Sequence, residues 1–480
     1  MTAIETAASE TEVGRQLQRR WAALVVALLA VFMDLVDITI VLIAAPAIQA
    51  DLQTSYSAIQ WVLATYALAL GLGLITGGRL GDIVGRKRMF LTGIAGFTVA
   101  SALAAMAPSV GVLIASRVMQ GAAAAMMVPQ VLAMIQVNFS PAERPKAFGL
   151  YGAVNGLAAA AAPIVGGLLV GNNLFGLEWR SVFWVNVPIG LFALVAGAMW
   201  MQESRSVDRP RLDLTGVFVI TTGLLLLLYS LIQGADLGWP GWLWAMMAAS
   251  VPVFAIFGWH QARRERSGDP LVPVSLFRQR SFVAGLLAAL VMFSAVASFF
   301  MVLTIQLQVG HGFSALKVGL IFMAWPIGLA ATAGAAVRLV AKMGRRLVTI
   351  GASLLTAAMV ALEVTISTSG GDLGAWHLVP ALLVGGVGFG LVAPILVDMV
   401  LSTVPPNAAG AASGVTNTVI QIASATGVAV VGALFTTALD RTGDFDVAAT
   451  HALWYAVGAF ALGLALSRAL PARAHAAPHS

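Results

Sequence analysis

Cysteine is absent from the 480-residue sequence. Disulfides, thiolate metal sites, iron–sulfur clusters and cysteine nucleophiles are therefore excluded together, and the redox compartment cannot be read. The six histidines are scattered and offer no set of metal ligands, so neither a metal nor a cofactor is expected. Charge is the third shortage. Only 10% of the residues are charged, against 59% hydrophobic and a mean hydropathy of +0.90, whereas a soluble domain carries about a quarter charged residues. Glycine-rich "GLGLITGG" (71–78) and "GGVGFG" (385–390) lie in or beside apolar runs and not at a strand-to-helix turn. They make no phosphate site, and no Walker-type sequence offers ATP as an energy source. No nucleophile–base constellation suggests an enzyme.

What is present is a series of apolar runs, each long enough to cross a bilayer at about 20 residues per span. They fall near 21–44, 57–77, 88–107, 111–134, 147–170, 181–201, 214–234, 241–261, 282–308, 316–341, 346–367, 375–401, 409–438 and 451–470. The expected class is an all-α integral membrane protein of fourteen transmembrane helices, with the lipid bilayer as its constant partner. The net charge of +6 does not signal nucleic acid, because the basic residues occupy every second loop. One set of loops holds Arg15, Arg19, Arg20, then Arg79 to Arg88, Arg144 and Lys146, Arg205 to Arg211, Arg263 to Arg280, Arg338 to Arg346, and Arg468 and Arg473. The other side keeps only Arg180, Lys317 and Arg441, and Arg117 lies within a span. Lys and Arg near span ends stay on the cytoplasmic side, so both termini are expected there, in a bacterial inner (cytoplasmic) membrane. The polar stretch before Trp21 has no cleavable signal pattern and reads as a disordered tail.

The chain also looks internally repeated. Six spans precede the charged connection "QESRSVDRPRLDLTG" (202–216), two more follow, and six come after a second basic loop at 260–282. "RLGDIVGRKR" (79–88) aligns without gaps on "RLVAKMGRRL" (338–347). This divides the chain into an N-terminal half, 1–201, a two-helix insertion, 202–262, and a C-terminal half, 263–480. Such repeats place a transport site between the halves, near the bilayer midplane.

Several stretches carry local chemistry. In "GRLGDIVGRKR" (78–88), Gly78, Gly81 and Gly85 let helix ends approach and turn, while Asp82, Arg86 and Lys87 can make charge-assisted bonds across the cytoplasmic face. That suits a conformational gate, although simple positive-inside anchoring would also use the basic residues. In the fifth span, Pro163 removes a backbone donor and Gly166 and Gly167 add small surfaces, making a kinkable, closely packed helix. "GRLGDIVGRKR" resembles the loop signature of the major facilitator superfamily. "LIASRVMQG" (113–121) is similar to its fourth-span pattern through Arg117, Gln120 and Gly121, and "AAAAAPIVGG" (158–167) resembles its antiporter signature with Ala158 and Ala162 in place of two glycines. "VFMDLVDITIVLIAAP" (31–46) looks like the first-span signature of the fourteen-span drug:proton antiporters, with Asp37, Thr39 and Pro46 in place and Leu42 where an Asn is usual. "WRSVFWVNVPIG" (179–190) and "DPLVPVSLFRQRSF" (269–282) are further hallmarks of that group. The resemblance implies alternating access and export of small molecules in exchange for protons.

Asp34 and Asp37 are three apart, so on a helix they share one face with roughly 4.5 Å of rise between them. A carboxylate within a span costs about 2.5–3.5 kcal/mol and usually faces a cavity or a partner. Counted from the cytoplasmic ends at Trp21 and Met134, Asp37 and Arg117 come to roughly the same depth, with Gln120 on the same face as Arg117. The three ionisable residues are read as a proton-coupling site, at which a proton and a substrate, especially a cationic one, compete. The alternative is a permanent Asp37–Arg117 pair that only fixes helix packing. Other polar or aromatic residues in spans are candidate cavity walls: Gln60, Trp61, Tyr66, Asn155, Gln306, Trp325, Asn417 and Gln421, each of which could instead serve helix packing. Glu363 and Asp398 lie near span ends and are not chosen.

The sequence thus suggests a monomeric, proton-coupled exporter of small organic compounds. Other readings are export of a lipid-like molecule or siderophore, uptake by symport, or a sensor that keeps the fold without transport. Topology is checked directly by reporter fusions: those after Pro210 and Arg266 should read cytoplasmic, and one near Asp236 should read external. External readings for both basic loops would defeat the fourteen-span arrangement.

Overall fold

The computed structural model describes residues 3–140, 142–172, 176–205, 212–266, 270–369, 373–402, 404 and 409–470. Arg209, Arg211 and Arg473 lie outside them, as do the side chains of Arg15, Arg338 and Lys342. Among the described residues all regular structure is helical, and fourteen segments are long and apolar enough to cross a membrane. The N-terminal bundle comprises α1 (Ala3–Asp51), α2 (Tyr56–Val84), α3 (Arg86–Ala105), α4 (Val110–Asn138), α5 (Arg144–Gly171), α6 (Ser181–Trp184) and α7 (Asn186–Trp200). Two helices, α8 (Leu214–Leu237) and α9 (Gly241–Arg266), follow. The C-terminal bundle is α10 (Arg280–Ile305), α11 (Ala315–Phe322), α12 (Ala324–Met343), α13 (Arg345–Ser369), α14 (Ala375–Ser402), α15 (Ala409–Thr442) and α16 (Phe445–Ser467).

Two spans expected to be continuous are broken, and the same chemistry breaks both. Pro188 has no N–H to give the carbonyl of Trp184, and Pro326 has none for Phe322, four residues back in each case. α6 ends at Trp184 and α11 at Phe322. A second correction concerns the polar N-terminus. It is helical from Ala3 onward, because the apolar span supplies the nucleus and Ala- and Glu-rich sequence propagates it.

α1–α7 pack on one another, as do α10–α16. The bundles meet along α2 and α15 and where α5 crosses α11. The end of the molecule carrying the basic loops is here called the basic end, and the opposite one the far end. At the far end the backbones touch: a Cβ on Gly319 would lie 2.2 Å from the Pro163 carbonyl oxygen, and one on Gly167 2.6 Å from the Leu316 Cα. A π-helical turn, Gln306–Gly310, closes α10 and lets Gln308 Nε2 donate to the Ile43 carbonyl at 2.9 Å. Towards the basic end α2 and α15 remain in contact, with Thr418 Oγ1 donating to the Gly71 carbonyl at 2.9 Å. The basic half of α5 is open: Gly149, Gly152 and Gly156 have free space where a side chain would stand, and Leu157 is 60% exposed. The halves are therefore closed at the far end and parted along α5 at the basic end.

The inserted pair packs unevenly. α8 lies against both α2 and α15, whereas α9 presents Trp242, Trp244 and Trp259 outward, as interfacial tryptophans do in a bilayer. At the basic end Asp213 caps α8 through the Gly216 N–H (2.9 Å) and receives Gln261 Nε2 at 2.7 Å, with His260 Nε2 at 2.9 Å. Burial pushes the Asp213 carboxyl up, but the hydrogen bonds from His260, Gly216 and Gln261 together hold it below the usual carboxylate range. Gln261 Oε1 accepts from the Val272 N–H at 3.0 Å, and Arg79 donates to the Pro270 carbonyl. The insertion and the N-terminal bundle thus grip the same segment ahead of α10.

The absence of cysteine makes the far-end closure testable. With a single cysteine at Ser424, Gly319→Leu should raise labelling by a membrane-impermeant thiol reagent applied from the far side, because no side chain fits against the Pro163 carbonyl. Unchanged labelling would mean that this contact is not the barrier.

Candidate functional site

The geometry starts from a contact between α2 and α4. A Cβ on Gly121 would stand 2.4 Å from the Tyr66 carbonyl oxygen, so only glycine permits this approach. One turn away, it brings Arg117 against α2, where Nε donates to the Val62 carbonyl at 3.2 Å and the guanidinium lies 4.1 Å from the Tyr66 ring centroid. Arg117 Nη1 reaches Asp37 Oδ2 at 2.5 Å, and both side chains are essentially without exposed surface. Gln120 accepts from the same Nη1 at 3.0 Å, and its Nε2 donates to Ser101 Oγ at 2.8 Å and more distantly, at 3.4 Å, to Asp37 Oδ1. Asn186 Nδ2 completes the shell at 2.7 Å from Asp37 Oδ1. A buried ion pair survives only when its remaining valences are met, and here α1, α2, α3, α4 and α7 all contribute.

Asp34 is held differently. It is 4% exposed, and the hydrogen bond it receives from the Tyr66 hydroxyl is with a neutral donor. Tyr66 therefore touches both carboxylates' surroundings, through its hydroxyl to Asp34 and through its ring to the arginine that holds Asp37. Tyr66 and Arg117 also line a cavity of ≈ 280 Å³ between the bundles. Its N-terminal wall continues with Ile38, Thr39 and Leu42, and its C-terminal wall is Phe293 and Phe300 with Gln421 and Ser424. Phe300 is backed by Phe299 (4.2 Å) and by Trp325 (5.4 Å between ring centroids). The C-terminal wall is aromatic and aliphatic, with Gln421 and Ser424 as its polar groups and no charged residue in its part of the lining.

The other cavity candidates are distributed. Gln120 sits behind Arg117. Trp325 stands behind the aromatic wall. Trp61 turns to the inserted pair, 6.2 Å from Tyr229, which lies 6.2 Å from Trp242. Gln60 is buried against Gly432 on α15 with its Oε1 unpaired. Asn155 donates to its own helix at Tyr151, and Asn417, exposed, to Ser413. Gln306 is at the far end, donating to Asp446 at 2.9 Å beside His311. Glu363 is buried and Asp398 exposed, both in the C-terminal bundle. Two members of the site were not singled out from the sequence. Asn186 had a signal, as a polar residue within the apolar "WVNVPIG" run, while the hydroxyl of Ser101 had none.

The 78–88 stretch forms a cluster at the basic end. Asp82 pairs with Arg86 at 2.8 Å, and Gly85 turns with φ +123 against Glu203. Glu203 accepts from the Lys87 N–H at 3.1 Å and lies 3.6 Å from Arg88, while Lys87 Nζ donates to the Ala198 carbonyl at 2.7 Å. Gly81 packs on Gln130, and Gly78 is near Pro129. These contacts lie within the N-terminal bundle and the residues that directly follow it, and Arg79 of this stretch reaches the segment before α10. Across the bundles, Pro163 and Gly167 meet α11, whereas Gly166 meets Ile40 of α1 within the N-terminal bundle.

The sequence model of the Major Facilitator Superfamily matches residues 27–428. The probable actinorhodin transporter of Streptomyces coelicolor is 42% identical over 87% of this chain and 72% of its own length. The tetracenomycin C resistance and export protein of Streptomyces glaucescens is 36% identical over 89% and 77%, and the multidrug efflux pump LfrA of Mycolicibacterium smegmatis 31% over 91% and 84%. Among solved structures, a peptide transporter POT in complex with sulfate superposes with a TM-score of 0.68 at 15% identity, covering 94% of this chain and 96% of that one. A D-xylose–proton symporter gives 0.65 at 15%, covering 94% and 98%. At such identity the likeness is one of fold.

The ion pair makes a stability prediction. Arg117→Ala leaves Asp37 buried without its counter-charge, and should cost about 3–5 kcal/mol. Asp37→Asn in that background should recover part of the loss in thermal unfolding of the purified protein. If the double variant is no more stable than Arg117→Ala, the pair is not what holds these helices.

Proposed function

We propose that this chain, which belongs to the Major Facilitator Superfamily, is a proton-coupled antiporter that exports small, largely aromatic organic compounds of antibiotic type by alternating access. The observation that carries the reading is the Asp34–Tyr66–Arg117–Asp37 arrangement at the edge of a cavity between two bundles. The names of the relatives, which are exporters and resistance proteins, support the substrate class. On this reading the basic end is cytoplasmic, both termini are inside, and the monomer moves residues 1–201 against 263–480, with 202–262 inserted between them. The parted basic end is then the loading state.

The coupling follows from hydrogen-bond bookkeeping. With Asp34 ionised, Tyr66 donates its hydroxyl hydrogen to it. A proton arriving on Asp34 gives that carboxyl an O–H of its own, and where the proton sits on the oxygen facing Tyr66 the tyrosine accepts in place of donating and turns its own hydrogen elsewhere. The Tyr66 ring is cavity wall on one side and lies under Arg117, so the change reaches both the substrate and the Asp37–Arg117 pair. A substrate that presses on Tyr66 or draws on Arg117 acts on the same network in the opposite sense. Proton and substrate thus favour different arrangements of one site, which is the thermodynamic condition for exchange. The cluster of Asp82, Arg86 and Lys87, whose contacts lie on the N-terminal side here, serves as the gate that must gain partners across the basic end when the far end opens.

Proteoliposomes with an imposed pH gradient test this. Asp34→Asn should abolish gradient-driven accumulation and flatten the pH dependence of substrate binding, because an amide cannot exchange a proton, and Asp37→Asn should abolish accumulation by leaving Arg117 without its counter-charge. Asp82→Asn should slow turnover while leaving affinity nearly unchanged. Undiminished accumulation in the Asp34→Asn, Asp37→Asn and doubly substituted proteins would reduce the carboxylates to packing.

A further inference from the structure

The far end has three basic side chains among the described residues, and two are engaged. Arg180 pairs with Asp51 at 2.7 Å, and Lys317 lies over the Phe313 ring. Arg441, at the end of α15, has neither an ion pair nor a hydrogen bond with the described residues. Of the nearby carboxylates, Asp236 accepts from Ser57, Asp444 caps α16, and Asp446 receives Gln306 and lies against His311, while Asp440, exposed next to Arg441 in the chain, makes no ion pair with it. Arg441 stands at one end of a groove of ≈ 550 Å³ between α8, α15 and α16, with Trp239 and His451 also in its lining. The rest of the wall is mainly apolar, including Leu231, Val430 and Leu434.

The dimensions identify what fits. From Val430 to Arg441 is eleven residues of α15, or roughly 16 Å of helix. Half of a hydrocarbon core of about 30 Å is close to that depth, and Trp239 marks the polar boundary where such rings settle. The groove is therefore one leaflet deep, apolar towards the midplane, and cationic at its headgroup end. It is also separate from the central cavity, because Gln421, Ser424 and Val428 of α15 line that cavity while Val430, Leu434 and Arg441 line this one.

We propose that this groove is a binding site for one anionic phospholipid of the far-end leaflet, with its phosphate on Arg441 and an acyl chain along Leu231, Val430 and Leu434. The inserted helix α8 forms one wall, so the site exists because of the insertion. The lipid fills the space between α8 and α15 and fixes α15 against the insertion on the side away from the central cavity. This site does not depend on which compound the protein moves.

The test uses the full chain in phosphatidylcholine nanodiscs doped with phosphatidylglycerol, released into the gas phase for native mass spectrometry. Phosphatidylglycerol should be retained in preference to phosphatidylcholine. Arg441→Gln should lower that retention about fivefold, as expected for one basic contact to an anionic lipid, whereas Lys317→Gln at the same end should not. Leu434→Trp, which fills the apolar part and keeps the arginine, should lower it too. Equal retention in wild type and Arg441→Gln, or no preference for phosphatidylglycerol, overturns the proposal. Displacement of the lipid by millimolar inorganic phosphate also overturns it, since the site would then bind an anion without a chain.

Discussion

A carboxylate and a guanidinium sealed together inside an apolar bundle set the terms for the N-terminal half of this molecule. Asp37 and Arg117 are tolerable there only while every remaining donor and acceptor is met. That requirement reaches into five helices. Gly121 must be bare for α4 to come close enough to α2, the Val62 carbonyl must turn to Nε, Ser101 must hold Gln120, and Asn186 must point inward. Asn186 opens α7 at the break created by Pro188, so the interruption of the sixth span and the satisfaction of Asp37 occur at the same place.

Against that locked pair, the looseness of Asp34 is informative. Among the described residues one neutral donor binds it, and that donor belongs to a tyrosine that is part of the cavity wall. A site that must change its protonation during a cycle needs a member that can be freed at modest cost. A fully satisfied ion pair is a poor candidate for that role, and a carboxyl on a single hydroxyl is a better one. The C-terminal wall has the opposite character: Phe300, Phe299 and Trp325 pack face and edge with no ionisable group among them, so the chemistry lies on one side of the cavity and the apolar platform on the other.

The bundles are joined unequally. At the far end glycine and proline bring α5 and α11 into backbone contact, while at the basic end the segment before α10 is gripped by Arg79 from one side and Gln261 from the other. Of the inserted pair, α8 is the helix that lies against both α2 and α15. Any rocking of the halves must therefore slide α2 and α15 past a common neighbour, which gives the two extra spans a mechanical place in the fold.

Hydropathy and the side of each basic residue carried the number of spans and their alternation, because every backbone polar group in a bilayer must be satisfied within its helix. The Asp34, Asp37 and Arg117 constellation was legible too, since a charge in an apolar run is costly enough to stand out, and helical rise alone set Asp37 and Arg117 at one depth. Only the tertiary structure separated the two aspartates, by giving one an arginine with amides and the other a tyrosine hydroxyl. It also sent Trp61 to the insertion, Gln306 to the far end and Trp325 behind the wall. Rotation of each helix about its axis decides which neighbour a side chain meets, and in a span apolar on all sides the local sequence does not fix that rotation. It is set by where glycines let backbones touch and where prolines break them, which becomes definite only when all the helices are packed together.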